Sequence, residues 1–396
     1  MKEVLHELTG SSPGTRRFWS SLHYGAGRSG RKVFIQCALH ADEIPGLIVG
    51  VHLRGLLADL EAQGAIEGEI VLVPMANPVG LSQGVLGSAV GRFELSSGQN
   101  FNRGYRYLTP GLMEALQGRL GADAQANTRL IRAEALRLLE QWQPASEIES
   151  LQRGLQRLAI DADVVLDLHS DSEALIHLYA PTPHEGLARA LAECLGATPV
   201  LLAMESGDDP FDESVSRHWW ELQAAWEGRA PVELACFSTT IELRGERDVD
   251  HATAAADAQG LLRFLVITGD LPAASVQAAV GRGLGAGGEA AAAMPSGVDK
   301  AAGAQALRVT ALEAVDPVIT PVGGILVMAR RLGDSIETGA VIAEVIDPST
   351  GRSTPLKAAT TGLLFAHTDR RWVQAGQRVA KVAGDRAIRS GKLLSP

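Results

Sequence analysis

His40 and Glu43 stand three residues apart in Leu39-His40-Ala41-Asp42-Glu43, His169 follows Asp167-Leu168, and Glu242 sits in Thr240-Ile241-Glu242-Leu243. Two imidazoles and a carboxylate make a three-ligand zinc site with its fourth position open to water, and the remaining carboxylate can serve as the base that uses that water. This is a hydrolase pattern. The H-x-x-E spacing lets both side chains turn to one ion from a turn or a first helical turn, and Gly46 permits a tight entry into the next element. A lone H-x-x-E is a weak signal. The four residues together carry the reading.

The elements that must position them are legible in the apolar pattern. Up to about Leu271, short β-branched runs alternate with longer amphipathic stretches, as in a βαβ sheet protein. Strands are expected at Val33 to Leu39, Glu69 to Met75, Val164 to Leu168, Leu175 to Ala180, Val200 to Met204 and Cys236 to Leu243. Helices are expected at Pro45 to Glu61, Asn127 to Gln141, Glu149 to Ala159, His184 to Leu195, Ser214 to Trp226 and Ala252 to Thr268. His40, Glu43 and His169 then lie just past the carboxyl ends of strands, where open α/β sheets place ligands. Asp167 is expected to face away from His169, leaving a backbone carbonyl or Ser170 to hold that ring.

Residues 273–304 turn to alanine and glycine and read as a linker or exposed loop. Beyond them Ile319 to Leu326, with Gly339 and Val345, is echoed by Lys357 to Leu364, with Gly376 and Val382. Glycine-punctuated short strands at matching offsets describe a small all-β module of two similar halves. It resembles the biotinyl/lipoyl barrel-sandwich domain, which implies a carrier of a tethered cofactor. Such carriers need a lysine at the tip between the halves, and Ile346-Asp347-Pro348-Ser349-Thr350-Gly351-Arg352 has none. A module that braces or covers the first domain, or makes oligomer contacts, is the expectation.

With these residues in view, the first 270 or so positions resemble the succinylglutamate desuccinylase/aspartoacylase family of zinc carboxypeptidase-like enzymes. Its first metal motif matches His40-Ala41-Asp42-Glu43-Ile44-Pro45-Gly46, with alanine in place of a glycine. Its Asn-Pro turn matches Asn77-Pro78. Its D-x-N-R motif matches Asn100-Phe101-Asn102-Arg103, with asparagine in place of the leading aspartate. Its D-L-H matches Asp167-Leu168-His169, and its catalytic glutamate matches Glu242-Leu243-Arg244-Gly245. The resemblance implies an α/β catalytic domain over residues 1–272, a zinc-carboxypeptidase-like mixed β-sheet flanked by helices, with the β-module at 305–396. It implies one Zn2+ per chain on His40, Glu43 and His169, and hydrolysis of an N-acyl amide with Glu242 as general base and acid. Asn102 and Arg103 would hold a substrate carboxylate, and Arg92, just upstream, would stabilise the tetrahedral oxyanion.

Composition bounds the partners. The net charge is −10 and the pI near 5.5, and the basic residues are scattered, which argues against nucleic acid and anionic membranes and for a small-molecule substrate; the resemblance implies that this is an N-acyl amino acid. No apolar segment approaches the roughly 20 residues of a membrane span, and Met1 to Gly14 lacks the apolar core of a secretory signal, so a cytoplasmic location is expected. A homo-oligomer stays open. Cys37, Cys194 and Cys236 read as reduced core thiols. The acidic run Glu205 to Glu213 either faces the pocket, where it would repel acidic side chains and leave an N-acetyl diamino acid as an option, or is a solvated loop with helix-start acids at Asp212 and Glu213. His177, His184, His218 and His251 lack ligand spacing. Two other readings remain: a zinc carboxypeptidase acting on peptides, and a non-catalytic binding protein on the same fold.

Overall fold

The alternation of β-branched runs and amphipathic stretches becomes an alternation of strands and helices. The computed structural model describes residues 1–10, 12–25, 30–281 and 306–394. They form two units, one holding 1–169, 208–240 and the chain from 250 through its last described helix, the other holding 170–207, 241–249 and the chain from 306.

In the first unit, strands β1 (Lys2–Glu7), β2 (Phe18–Tyr24), β3 (Lys32–Cys37), β4 (Glu69–Val73), β7 (Val164–Asp171) and β11 (Phe237–Gly245) run in the order β1-β2-β4-β3-β7-β11. The last residues of β7 and β11, from Ser170 and from Ile241, belong to the second unit. β3 is parallel to β4 and β7, with Ile35 opposite Leu72 and Leu166. All of β3 but Lys32, and Val164 to Ser170 of β7, are buried, as expected of parallel strands covered on both faces. β1 and β2 are antiparallel additions at the edge, absent from the expected strands.

Around this sheet lie α1 (Pro45–Ala62), the single turn α2 (Pro78–Leu81), the small hairpin β5 (Gly84–Val85) and β6 (Ser88–Ala89), α3 (Thr109–Ala115), α4 (Ala124–Glu140), α5 (Glu147–Ala159), α7 (Phe211–Ala225) and α8 (His251–Ile267). Pro45 sits in the first turn of α1, where its missing N–H costs least. α4 and α5 start earlier than the apolar pattern indicates because Asp123 and Ser146 accept from the free N–H groups of their first turns. Trp19, Phe34, Phe101, Phe211 and Trp219 share one core cluster. The segment expected to begin a linker forms helix α9 (Ala273–Gly281), with Val276 and Ala279 buried; the remainder of that segment lies outside the described residues.

In the second unit, β9 (His177–Pro181), β10 (Val200–Ala203) and β12 (Val309–Ala311) are parallel neighbours, with α6 (Glu185–Leu195) between the first two in sequence. The chain after them folds into two antiparallel sheets. One is ordered β13 (Val315–Ile319), β20 (Arg378–Gly384), β18 (Gly362–His367), β15 (Ser335–Ile336); the other β17 (Ser353–Lys357), β16 (Val341–Ile346), β14 (Gly324–Met328), β19 (Trp372–Val373). Leu326, Ile342, Val345, Leu364 and Val382 form part of their common core. The repeat seen in the sequence has a steric cause: a Cβ on Gly324 would come within 2.4 Å of Ile346 O, and one on Gly362 within 2.0 Å of Ala383 O. β18 also pairs with β8 (Glu173–Ala174), just past the end of β7. The tip between β16 and β17 is a tight turn closed on Asp347, whose carboxylate accepts from Ser349 and Thr350.

Cys37 and Cys236 are buried and Cys194 is half-buried. Among the described residues no helix is long and apolar enough to cross a membrane.

Candidate metal and active site

β3 ends at Cys37 and the chain turns at once. Ala38 takes a left-handed φ of 57° while fully buried, a conformation that costs an alanine about 1 kcal/mol. The turn beyond it is pinned: Asn77 Nδ2 donates to Leu39 O at 2.9 Å and Ala41 N to Gly91 O at 3.0 Å. A Cβ on Gly91 would lie 2.2 Å from Asp42 N. Only glycine lets these two segments meet.

The turn brings together what the spacing promised. His40 Nδ1 lies 2.8 Å from Glu43 Oε1, and His169 Nδ1 lies 2.9 Å from Glu43 Oε2. All three residues are buried, with ligand atoms within 4.8 Å of one another. Ring nitrogens and a carboxylate this close, out of water, are held together by protons on the rings or by a metal ion among them.

The far side of each ring decides what Nδ1 can do. His40 Nε2 is 2.8 Å from Asn100 Oδ1, and His169 Nε2 is 3.0 Å from Asp167 Oδ2. An amide oxygen accepts, so His40 keeps a proton on Nε2, and the Asp167 carboxylate beside His169 Nε2 favours a proton there too; each ring then has Nδ1 available to a metal ion. The donor set, two neutral imidazoles and one carboxylate, fits zinc. Asp167 corrects an expectation. It does not face away from His169, because residues two apart on a strand share a face; Gln36 Nε2 holds its other oxygen at 2.9 Å.

Burial, and next the Arg92 guanidinium, hold His40 below the ordinary histidine range. Burial acts the same way on His169, but Asp167 and Glu43 outweigh it and hold that ring well above the range. Glu43 is held well below the carboxylate range, against the effect of its burial, by the two imidazoles.

Arg92 reaches this cluster, with Nη1 3.2 Å from Glu43 Oε1 and 3.3 Å from His40 Nδ1. Its distance in sequence from Asn102 is taken up by a loop between Phe93 and Asn100, which bridge antiparallel to each other, and Ser96 and Ser97 donate to Glu94 inside that loop. Asn102 Oδ1 accepts from Phe211 N at 2.8 Å, which ties the loop to the first turn of α7. That structural duty was not foreseen. Arg103 is half-buried; burial and Arg92 lower its affinity for its proton while Asp212, Glu213 and Asp208 raise it. The acidic run therefore divides. Asp208, Asp212 and Glu213 bear on Arg103, whereas Asp209 contributes its backbone carbonyl to Tyr105 N.

Asp212 is both a first-turn acid of α7 and part of this surrounding. Burial, and after it Asp167, push its carboxyl up to about 6, while Thr240 and His169 pull the other way. Glu242 is half-buried on β11, in the second unit, where its charge bears on Tyr179 and on Lys381. Lys381 makes an ion pair with Asp171 at the end of β7. His177, His184 and His218 are buried packing residues and His251 meets His52 at 3.2 Å; none of them joins the metal cluster.

Known proteins bear on this site. Residues 29–268 match the succinylglutamate desuccinylase/aspartoacylase catalytic domain. No curated protein sequence matches the chain. Solved structures share its fold: a succinylglutamate desuccinylase/aspartoacylase family protein from Shewanella amazonensis SB2B is 20% identical with a TM-score of 0.77, covering 97% of this chain and 98% of that one. The product-bound ectoine utilization protein EutE (DoeB) from Ruegeria pomeroyi is 15% identical with a TM-score of 0.62, covering 97% of this chain and 95% of that one. With the matched domain spanning β3 to α8 and carrying the whole buried His-Glu-His cluster, the chain belongs to the succinylglutamate desuccinylase/aspartoacylase family.

Proposed function

We propose that the protein is a zinc-dependent deacylase that hydrolyses the amide bond of an N-acyl amino acid. The observation that carries this is the pair of imidazoles whose Nε2 atoms are tied to Asn100 and Asp167 while both Nδ1 atoms meet Glu43. Family membership supports it. Zinc held by His40, Glu43 and His169 would polarise the acyl carbonyl and acidify a water molecule. Glu242 takes the water's proton and returns it to the departing amine, a contribution of about 10²–10⁴ in rate. Its match to the family's catalytic glutamate, in Glu242-Leu243-Arg244-Gly245, supports that role. Arg103 grips the substrate carboxylate through its planar fork. Arg92, against Glu43 and His40, meets the negative charge that grows on the carbonyl oxygen.

The three acids around Arg103 favour a substrate that pairs its carboxylate with a neutral or cationic side chain. An N-acetyl diamino acid fits that description, and a shared fold with a protein of ectoine utilization is consistent with it. The C-terminal strands, with no lysine at the tip between β16 and β17, are not a carrier in this reading.

The test is a panel of N-acyl amino acids assayed for amine release with zinc added, including N-acetyl-diaminobutyrate, N-acetylaspartate and N-succinylglutamate. Release from at least one, fastest for the diamino acid, is expected. Faster turnover of either acidic compound would overturn the charge preference, and no release from any would overturn the deacylase reading.

A further inference from the structure

The two imidazoles of the metal cluster are backed by unlike groups. Behind His169 stands a carboxylate, Asp167; behind His40 stands a neutral amide, Asn100. The amide cannot turn round to change this, because Asn102 N donates to the same Oδ1 at 2.8 Å. Its Nδ2 is buried and has no partner among the described residues. Arg92 adds a positive charge on the His40 side. A hydrogen-bond acceptor behind a ligating ring raises the ring's basicity, and a charged acceptor raises it more than a neutral one. With Glu43 shared between the two rings, the remaining negative charge that offsets a bound dication stands on the His169 side alone, on Asp167.

We propose that Asn100 is a positioning residue that holds His40 in its ligating tautomer while keeping it the weaker of the two imidazole ligands, so that the site binds zinc less tightly, and leaves more of its charge uncompensated, than a carboxylate at this position would allow. The proposal rests on the zinc reading above but not on the substrate. A strong Lewis acid needs charge left over for the reacting carbonyl, and a neutral partner at one imidazole leaves it. An aspartate at position 100 has the same shape, would keep the bonds from His40 and Asn102, and would remove the orphaned donor. Only the charge would change.

The test is zinc affinity by chelator competition on the full chain at one pH, without substrate. Asn100→Asp is expected to bind zinc about 10-fold or more tighter, and Asp167→Asn and Asn100→Ala about 10- to 100-fold weaker, the range for partners of metal-bound histidines. The double variant Asn100→Asp/Asp167→Asn moves the charge from one ring to the other and is expected to return to within a few-fold of the unmodified protein. A purely structural role for Asn100 predicts no gain in affinity for the aspartate. Unchanged or weaker zinc binding by Asn100→Asp would overturn the proposal; if that variant does not fold, unchanged affinity in Asn100→Ala would overturn it. Because no substrate enters the titration, failure of the deacylase reading leaves its result standing.

Discussion

At the scale of single residues, Glu43 does the most with the least freedom, since its two oxygens meet two different imidazoles in a space closed to water. Replacing either ring should empty the site without disturbing a sheet that forms independently of it. His40→Ala and His169→Ala are expected to lose most of their zinc by elemental analysis while keeping their circular dichroism; undiminished zinc in His169→Ala would refute the ligand assignment. Glu242→Gln should keep its zinc and lose turnover by about 10²-fold or more, because an amide cannot accept the water's proton. Near-normal activity there would remove Glu242 from the mechanism. Arg103→Lys should lower kcat/KM for carboxylate-bearing substrates, as a point charge replaces a planar fork.

At the scale of elements, the turn after β3 depends on its contact with the Gly91 segment. A methyl group at 2.2 Å from Asp42 N cannot be accommodated without moving the backbone that carries His40 and Glu43. Gly91→Ala is expected to cost about 1–3 kcal/mol in denaturant unfolding and to weaken zinc binding as well. A variant with full stability and full affinity would show that the turn is not held from that side. The strands and helices that carry the cluster were legible in the sequence because β3 and β7 are rich in buried apolar residues and α1 opens on a proline. The edge pair was not. β1 reads Lys-Glu-Val-Leu-His-Glu and is mostly exposed, and β2 has two serines at its centre, so neither shows a buried face in its composition. Helix α9 was hidden by alanine and glycine, and needs only Val276 and Ala279 to anchor it.

At the scale of the whole molecule, residue types set just past strand ends named the three candidate ligands, but not what stands behind them. Asn100 lies 60 positions from His40, and Asp212 approaches Asp167 and His169 from another part of the chain; contacts of that length leave no local pattern. Asp212 makes stability depend on pH. Its carboxyl, ordinarily near 3.8, is raised to about 6, so folding favours the protonated form. The penalty is present above pH 6 and disappears as the pH falls through the interval from 6 to 3.8. In the metal-free protein Asp212→Asn is therefore expected to raise stability by about 1–3 kcal/mol at pH 8 and by little at pH 4. Equal effects at both pH values would contradict this account of its surroundings.

The most direct measurement of the central claim is amine release from the N-acyl amino acid panel by the same preparation before metal removal, after chelation and after zinc is restored. The expected result is release that disappears with the metal and returns as zinc approaches about one equivalent per chain, the stoichiometry of a single three-ligand site. Release that survives complete removal of the metal, or a protein that holds one zinc and cleaves none of the panel, would contradict it.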